Sequence, residues 1–300
     1  MANPGPPARD GIAVVDKPPG WTSHDVVARM RRLARTKRVG HVGTLDPMAT
    51  GVLVLGVGAA TRLLHHLVLA DKAYTATIRL GQRTVTDDAE GEVTGGASAA
   101  TVAESAVAPA IGRLTGEILQ VPSAVSAIKV DGQRAYKRVR AGDAVELAAR
   151  PVTVSRFDLL ALTRPAPELL DLDVAVECSS GTYVRAVARD LGENLGVGGH
   201  LTALRRTRVG PFTLEQAATL DELARRDDPV ALPLADAIRL AMPVREIGPG
   251  EARELSFGRP LPALGIAGVH GALTGDGVAV ALLRESDGLA RPALVFTPAG

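Results

Sequence analysis

The chain has 300 residues, and 46% of them are hydrophobic, which excludes an intrinsically disordered protein and leaves ample material for a core. The longest apolar runs, such as residues 278–283, are far too short to span a membrane. The first ten residues lack the apolar core of a secretory signal, so we expect a cytoplasmic protein. The single cysteine, Cys178, excludes an internal disulfide and a zinc site built on several cysteines.

The net charge is only +1, but the charges are segregated along the chain. The basic residues form three clusters: Arg29, Arg31, Arg32, Arg35, Lys37 and Arg38; Lys129, Arg134, Lys137, Arg138 and Arg140; and Arg205, Arg206 and Arg208. The stretch 84–104 contains acids and no Arg or Lys. Any one cluster could be a solvated helix face. The three together favour a polyanion partner bound to a basic face with an acidic rim.

The first half of the chain alternates short strands and helices. Residues 1–10 are rich in proline and predict a flexible tail, and 11–15 predict a short strand. Thr22 and Asp25 form a capping-box pattern at the start of a helix, with apolar residues at helical spacing as far as Leu33. Residues 40–51 predict a loop, 52–55 a buried strand, 61–69 a helix and 73–80 a half-buried strand.

The second half continues the mixture. Residues 94–110 predict a loop leading into a small helix, 170–176 a strand, and 183–195 a helix after a turn at Gly181. A break at 242–250 precedes a helix at 251–257 and strands near 278–283 and 293–296. Since βαβ units do not repeat, we expect an α/β or α+β fold with a mixed sheet. The expected division is a flexible tail at 1–10, a large domain at 11–243 and a small C-terminal domain at 244–300.

Known cofactor motifs are incomplete in this chain. The pair Gly56 and Gly58 follows a predicted strand, but Thr61 stands where a dinucleotide-binding loop needs its third glycine. A phosphate-binding loop of the Walker type is absent, and the adjacent His65 and His66 cannot both face one metal from a helix. We therefore expect an activity that needs neither a cofactor nor a metal.

The most informative stretch is GHVGTLDPMATGVL, at residues 40–53. Asp46 lies there in a loop bracketed by glycines, just beyond the first basic cluster, so its carboxylate is expected near the anion that the arginines attract. It could instead only cap a turn, as Asp before proline often does. Arg185 falls in the first turn of a predicted helix, where a cation opposes the helix dipole. It therefore needs a partner, and Asp46 is the expected one.

These motifs resemble the TruB family of tRNA pseudouridine synthases. The run GHVGTLDPMATGVLVLGVGAATR is similar to the family signature that carries the catalytic aspartate. Further matches follow the family order over roughly residues 11–212: DKPPGWTSHDVV, DKAYTATIRLG, QVPSAVSAIKVDGQRAYKRVRAG, SSGTYVRAVARDLG and HLTALRRTRVGPF. The resemblance implies a pseudouridine synthase fold. This is a mainly antiparallel mixed sheet flanked by helices, with a small β-rich module at the C-terminus like the PUA domain.

The resemblance also implies an activity, the conversion of uridine to pseudouridine at position 55 in the T loop of tRNA, by a monomer without a protein partner. Asp46 is then the nucleophile, Tyr74 stacks on the base and moves its proton, and Arg185 pairs with Asp46. The positions expected to hold the flipped nucleotide are His41, Tyr74, Tyr183 and Leu204. Contacts to the RNA backbone are expected from Arg29, Arg31, Arg32, Arg35, Lys37, Arg38, Lys129, Arg205 and Arg206.

Two alternatives stay open at this point. One is a non-catalytic RNA chaperone, which would need the basic clusters but not Asp46. The other is a related synthase that acts on a different RNA. The residues also leave open whether Asp46 attacks C1′ or C6, or acts through a glycal.

Overall fold

The computed structural model describes residues 7–123, 129–130, 133–134 and 147–299. Its helices are α1 (Ser23–Leu33), α2 (Leu64–Leu67), α3 (Glu104–Gly112), α4 (Val184–Asn194), α5 (Leu220–Ala224), α6 (Leu234–Ala241) and α7 (Pro249–Ser256). Short 3₁₀ turns lie at Gly58–Arg62 and Leu214–Gln216. None of the helices in the described ranges has the length and apolar character needed to span a lipid bilayer.

The strands fall into one large sheet, a second smaller sheet and two short hairpins. Their bounds are β1 (Gly11–Lys17), β2 (Val39–Val42), β3 (Thr50–Val57), β4 (Lys72–Leu80), β5 (Arg83–Thr84), β6 (Val93–Gly95), β7 (Gly116–Gln120), β8 (Lys129–Val130), β9 (Gln133–Arg134), β10 (Arg150–Ala166), β11 (Leu169–Cys178), β12 (Gly199–Val209), β13 (Phe212–Thr213), β14 (Leu232–Pro233), β15 (Val244–Ile247), β16 (Leu261–Pro262), β17 (Val269–Thr274), β18 (Ala279–Ser286) and β19 (Leu289–Val295).

The large sheet has the order β14-β1-β3-β12-β4-β11-β10-β7, with β2 added to β3 and β13 to β12. Its strand pairs are antiparallel except for β3 and β12, which run parallel. The prediction of a mixed, mainly antiparallel sheet with flanking helices is confirmed. The parallel pair matters for the site, because it places Arg205 and Arg206 beside Thr50 and Gly51, at the end of the Asp46 loop.

Local sequence explains the elements that carry the site. Thr22 caps α1 and forms a capping box with Asp25, while Val26 and Met30 are fully buried on the inner face of the helix. Strand β4 alternates as predicted, since Tyr74 is buried and the next residue, Thr75, is exposed. Helix α4 begins after Tyr183 and ends at Asn194, so the helix predicted over 183–195 is confirmed.

Three local predictions change. The predicted loop at 40–51 is shorter, because β2 pairs with β3 in an antiparallel ladder and the Asp46 loop proper covers residues 43–49. The helix predicted over 61–69 is divided into a 3₁₀ turn and the four-residue α2. Residues 8–10 of the predicted tail are held in place, by backbone bonding of Ala8 to Ala34 and an ion pair between Arg9 and Asp228. Residues 1–6 lie outside the described residues.

The second sheet has the order β15-β17-β18-β19-β16 and lies in the C-terminal part of the chain, as predicted for the β-rich module. Leu282 of this sheet and Phe296, which follows β19, share an apolar cluster with Ile12 and Val14 of β1. Arg62 donates to the carbonyl oxygens of Val295 and Phe296 across the same boundary. The two sheets are therefore joined by a common core, and a domain division at 243/244 stays a prediction.

Candidate functional site

The Asp46 loop, residues 43–49, connects β2 to β3 and is fixed by contacts from the N-terminal segment. Ser23 bonds Leu45 twice, with its hydroxyl donating to the carbonyl oxygen and accepting from the amide at 2.9 Å. The carbonyl oxygen of Pro47 accepts from the amide of Gly20 at 2.9 Å and from Nζ of Lys17 at 3.0 Å. These bonds hold the backbone on both sides of Asp46, so the carboxylate is positioned before any substrate arrives.

Lys17, at the end of β1, is fully buried and was not expected in the site. Its ammonium also donates to the carbonyl oxygens of Pro18 and Trp21, at 2.9 and 2.7 Å. Burial lowers the pKa of Lys17 to about 8, although the negative charge of Asp46 acts in the opposite direction. Its position directly after an apolar strand was the available signal, because a lysine there must find acceptors for its donors.

Asp46 and Arg185 are in direct contact, as the helix-dipole argument expected. Nε of Arg185 lies 3.0 Å from Oδ2 of Asp46, and Nη2 donates to Oδ1 at 3.3 Å. The guanidinium is 7% exposed, whereas the Asp46 side chain is 36% exposed. Burial raises the pKa of the Asp46 carboxyl and Arg185 opposes that rise. The arrangement presents an oriented carboxylate to solvent with its counter-charge behind it.

Arg185 also contacts a second carboxylate that the sequence reasoning missed. Nη1 of Arg185 donates to the carbonyl oxygen of Thr86 at 2.8 Å and lies 3.4 Å from Oδ2 of Asp88. Asp88 is 2% exposed and accepts from the amide of Glu90. The sequence did hold one sign of this second partner. A buried guanidinium has five N–H donors, and one carboxylate cannot accept from all of them.

The prediction of an acidic rim is therefore wrong for two of its residues, Asp87 and Asp88. Asp88 pairs with Arg185, and Asp87 is likewise buried, with its carboxylate 3.3 Å from Nη1 of Arg189. Both side chains point inward because the short loop after β5 brings them against α4, where arginines are available as partners. Glu90 and Glu92 remain exposed in the same stretch.

Tyr74 lies across the sheet from Arg206, since the two residues face each other in the β4–β12 ladder. Tyr74 is 7% exposed, and burial raises the pKa of its hydroxyl to about 12, against the influence of the nearby Arg206. The phenol is therefore neutral at physiological pH.

Arg206 is buried, so its side chain is not exposed for the contact with an RNA backbone that the sequence predicted. It is 1% exposed and donates from Nε to the carbonyl oxygen of Val52 at 2.7 Å and from Nη2 to that of Gly43 at 2.8 Å. Gly43 has φ of 68°, and a Cβ there would lie 3.2 Å from Nη1 of Arg206. Arg206 thus ties the first residue of the Asp46 loop to β3.

A groove of about 500 Å³ opens on the large sheet beside the Asp46 loop. Met48 and Thr50 contribute from the loop end, Glu90 from the loop after β5, and Leu204 and Arg205 from β12. The side chain of Arg205 is 40% exposed and forms a two-pronged pair with Asp16, at 2.7 and 3.0 Å. The groove surface is therefore mainly apolar with a few charged side chains, and it borders the Asp46 loop at Met48.

The remaining predicted nucleotide contacts are near the site but differ in exposure. His41 is half-buried on β2, with its ring 5.6 Å from that of His24, and burial lowers its pKa, so the ring is neutral. Tyr183 is half-buried at the cap of α4, where its backbone exchanges two hydrogen bonds with the Gln120 side chain. Leu204 is 7% exposed at the groove.

The first basic cluster is mostly exposed to solvent. We call Arg29, Arg31, Arg32, Arg35, Lys37 and Arg38 the basic face; all are exposed except the half-buried Arg29. Two of these side chains bond only backbone carbonyl oxygens, Arg31 that of Val39 and Arg35 that of Asp227. Within the described residues no ion pair engages the basic face, so its charge is available to an anion. The Lys129 side chain lies outside the described residues.

Three family models match along the chain. The TruB family pseudouridylate synthase N-terminal domain matches residues 31–184, the tRNA pseudouridylate synthase B C-terminal domain matches 185–234, and the tRNA pseudouridine synthase II C-terminal model matches 242–297. The chain is 61% identical over 299 residues to tRNA pseudouridine synthase B of Arthrobacter sp. (strain FB24), covering 96% of this chain and 97% of that protein. It is also 61% identical to the same enzyme of Nocardia farcinica, over 97% of this chain and 94% of that one.

Solved structures agree with these matches. The chain is similar to the archaeal box H/ACA sRNP Nop10-Cbf5 complex, with a TM-score of 0.71 and 26% identity over 96% of this chain and 86% of that one. A second similar structure is an H/ACA RNP bound to a substrate RNA containing 2′-deoxyuridine, with a TM-score of 0.71 and 26% identity over 96% and 85% of the two chains.

Proposed function

The chain belongs to the TruB family of pseudouridylate synthases, and we propose that its target is the uridine at position 55 in the T loop of tRNA. It is an isomerase that converts uridine in tRNA to pseudouridine. The observation that carries the proposal is the contact between Asp46 and Arg185, which presents one oriented carboxylate in a loop that also borders a groove.

The reaction breaks the N1–C1′ bond of uridine, turns the uracil ring and forms a C5–C1′ bond. C5 loses a proton and N1 gains one, so the reaction needs neither an oxidant nor a group donor. A carboxylate can trap the sugar or the base as a covalent adduct, or stabilise the positive charge that develops on the sugar. We assign this role to Asp46, whether it attacks C1′, attacks C6 or acts through a glycal.

Arg185 keeps this carboxylate ionised and oriented. Because burial raises the pKa of Asp46, the adjacent guanidinium is needed to preserve the charged form near neutral pH. Asp88 and the carbonyl oxygen of Thr86 hold Arg185 from the other side. We assign Asp88 as a positioning residue that acts on Asp46 through the shared arginine.

Tyr74 provides the ring and the proton-transfer group. With a pKa of about 12, the hydroxyl stays protonated before the reaction, and the neighbouring Arg206 stabilises the phenolate when a proton moves. A base buried in the tRNA fold must leave its stack to reach Asp46, which requires residues to hold it. We assign that task to Tyr74, His41, Tyr183 and Leu204.

The basic face binds the phosphates of the tRNA outside the groove. Its exposed side chains suit phosphates better than base edges, because they are spread along α1 and the segment after it rather than aimed at one point. Arg205 and Lys129 are assigned to the same role. Arg205 must first give up part of its ion pair with Asp16 to bind a phosphate. We further propose that the protein works as a monomer in the cytoplasm.

The proposal is tested by incubating the protein with an unmodified tRNA transcript and mapping pseudouridine chemically along the RNA. We expect one new pseudouridine, at position 55, without an added cofactor. A transcript with cytidine at that position is the matched control and should remain unmodified. Modification at another position, or of the control, would contradict the assigned target.

A further inference from the structure

The segment from Lys17 to His24 lies beside the Asp46 loop and bonds it at Leu45 and Pro47. At one end Asp16, the residue before it, pairs with Arg205 of the groove. At the other end the ring of His24 packs edge-on against His41. Between these ends lies Trp21, the only tryptophan of the chain, in a turn that also bonds Pro47 through the amide of Gly20.

The backbone of Trp21 is held by hydrogen bonds close to Asp46. Its carbonyl oxygen accepts from Nζ of Lys17 at 2.7 Å, and the same ammonium donates to Pro47 beside Asp46. Thr22, the next residue, caps α1. The indole ring is therefore not needed for these anchoring bonds, and the residue is 37% exposed. What sets Trp21 apart from the other exposed apolar side chains is its place, on a turn bonded to the neighbour of Asp46, where an aromatic ring can stack on a base.

The position of the turn indicates what the ring meets. The turn bonds Pro47, the neighbour of Asp46, and its last residue, Thr22, caps α1, which carries Arg29, Arg31 and Arg32 of the basic face. A nucleic acid that brings its target to Asp46 and has its phosphates on these arginines lies close to the turn at 19–22, all four residues of which are exposed. Flat aromatic rings in such places stack on unpaired bases, in a way that does not depend on base identity.

We propose that Trp21 is a stacking platform for an unstacked base of the bound tRNA, next to the target uridine, and that it helps to hold the loop open. This inference rests on the proposed function, since it takes a tRNA loop as the ligand. Its role is in binding the loop around the target and is separate from the chemistry at Asp46.

The single tryptophan makes the test direct, because indole fluorescence reports on Trp21 alone. The experiment titrates an unmodified T-arm hairpin RNA into the D46N protein, so that turnover cannot change the ligand. We expect the emission to be quenched, with the same midpoint that an independent filter-binding assay gives. Unchanged emission while filter binding saturates would overturn the proposal.

Variants then separate stacking from apolar packing. Trp21→Leu keeps an apolar side chain without a ring, and Trp21→Phe keeps a smaller ring. We expect the Kd for the hairpin RNA to rise about ten-fold in Trp21→Leu and only two- to three-fold in Trp21→Phe, a range typical of the loss of a base stack. Thermal unfolding of each variant checks that the fold is intact. Equal Kd values for the two variants and the parent would overturn the proposal.

The proposed function and this inference can fail separately. Pseudouridine at position 55 together with unchanged Trp21 emission overturns only the stacking role. Absence of pseudouridine from tRNA, with no RNA binding in the filter assay, overturns both.

Discussion

The cations around Asp46 and those on the basic face have the same chemistry but opposite surroundings. Arg185 and Arg206 are 6% and 1% exposed, and each donates to backbone carbonyl oxygens or carboxylates inside the protein. The arginines of the basic face are mostly exposed and have no carboxylate partner among the described residues. A buried arginine orients groups and tunes their charge, whereas an exposed one attracts phosphates and is screened by salt.

This difference predicts two kinds of variant. Changes at the buried cations should lower the rate of the chemical step or the stability of the fold, with little dependence on salt. Changes on the basic face should weaken tRNA binding in a salt-dependent way and leave the fold unaffected. The following variants test the division, in order of expected effect.

The largest effect is expected from Asp46→Asn, which keeps the shape of the side chain but removes the nucleophile. Turnover should fall by at least about a thousand-fold, while the Kd for tRNA changes little. Single-turnover assays and filter binding measure the two quantities. Activity near that of the parent protein would remove Asp46 from the chemistry.

Arg185→Lys should lower the rate by about a hundred-fold or more, because an ammonium cannot form both contacts to the carboxylate. The pH dependence provides a second readout. Burial raises the pKa of Asp46 and Arg185 lowers it, so a weaker partner should let the pKa rise. Activity requires the ionised carboxylate. As the pH is lowered, the variant should therefore lose activity at a higher pH than the parent protein does. Loss of activity at the same acidic pH in both proteins would contradict the pairing role of Arg185.

Arg206→Met tests the buried cation that sequence reasoning assigned to RNA. The carbonyl oxygens of Gly43 and Val52 would lose their donors, at a cost of about 2–3 kcal/mol in unfolding free energy. Arg32→Met on the basic face is the matched control and should leave the Tm within about a degree. Equal Tm values for the two variants would show that Arg206 does not support the loop.

Tyr74→Phe keeps the aromatic ring and removes only the hydroxyl. The rate should fall by about 10²-fold or more, and the Kd for tRNA should rise much less, because stacking survives. Parallel losses in rate and binding would limit Tyr74 to a binding role.

The smallest effect per residue is expected on the basic face. Replacing Arg31, Arg32, Arg35 and Arg38 by glutamine should weaken binding to all tRNAs. The slope of log K against log salt should become shallower by about one for each phosphate that is no longer neutralised. An unchanged slope would mean that these side chains are only solvated.

The sequence was sufficient for the parts of the site that depend on local pattern. The alternation of β4 oriented Tyr74, and the unfavourable place of Arg185 at a helix start predicted a carboxylate partner. The sequence did not predict which of two adjacent arginines is buried. In β12, the neighbours Arg205 and Arg206 alternate in burial, so that Arg205 reaches the groove while Arg206 is enclosed by the protein.

The partners of Arg185 show a second limit. Asp88 is 97 residues before it in the chain and reaches it only because the loop after β5 folds against α4. No local pattern predicts such a contact. The same holds for Lys17, which joins the N-terminal segment to Pro47 across 30 positions of sequence.

The central claim is that buried cations set the chemical rate while exposed cations set tRNA binding. The most direct measurement is the single-turnover rate at saturating enzyme, from about 50 to about 200 mM salt, for Arg185→Lys and for the basic-face glutamine variant. We predict a rate near that of the parent protein for the basic-face variant once tRNA is fully bound, and a slow, salt-independent rate for Arg185→Lys. Recovery of the parental rate by Arg185→Lys at saturation would contradict the account.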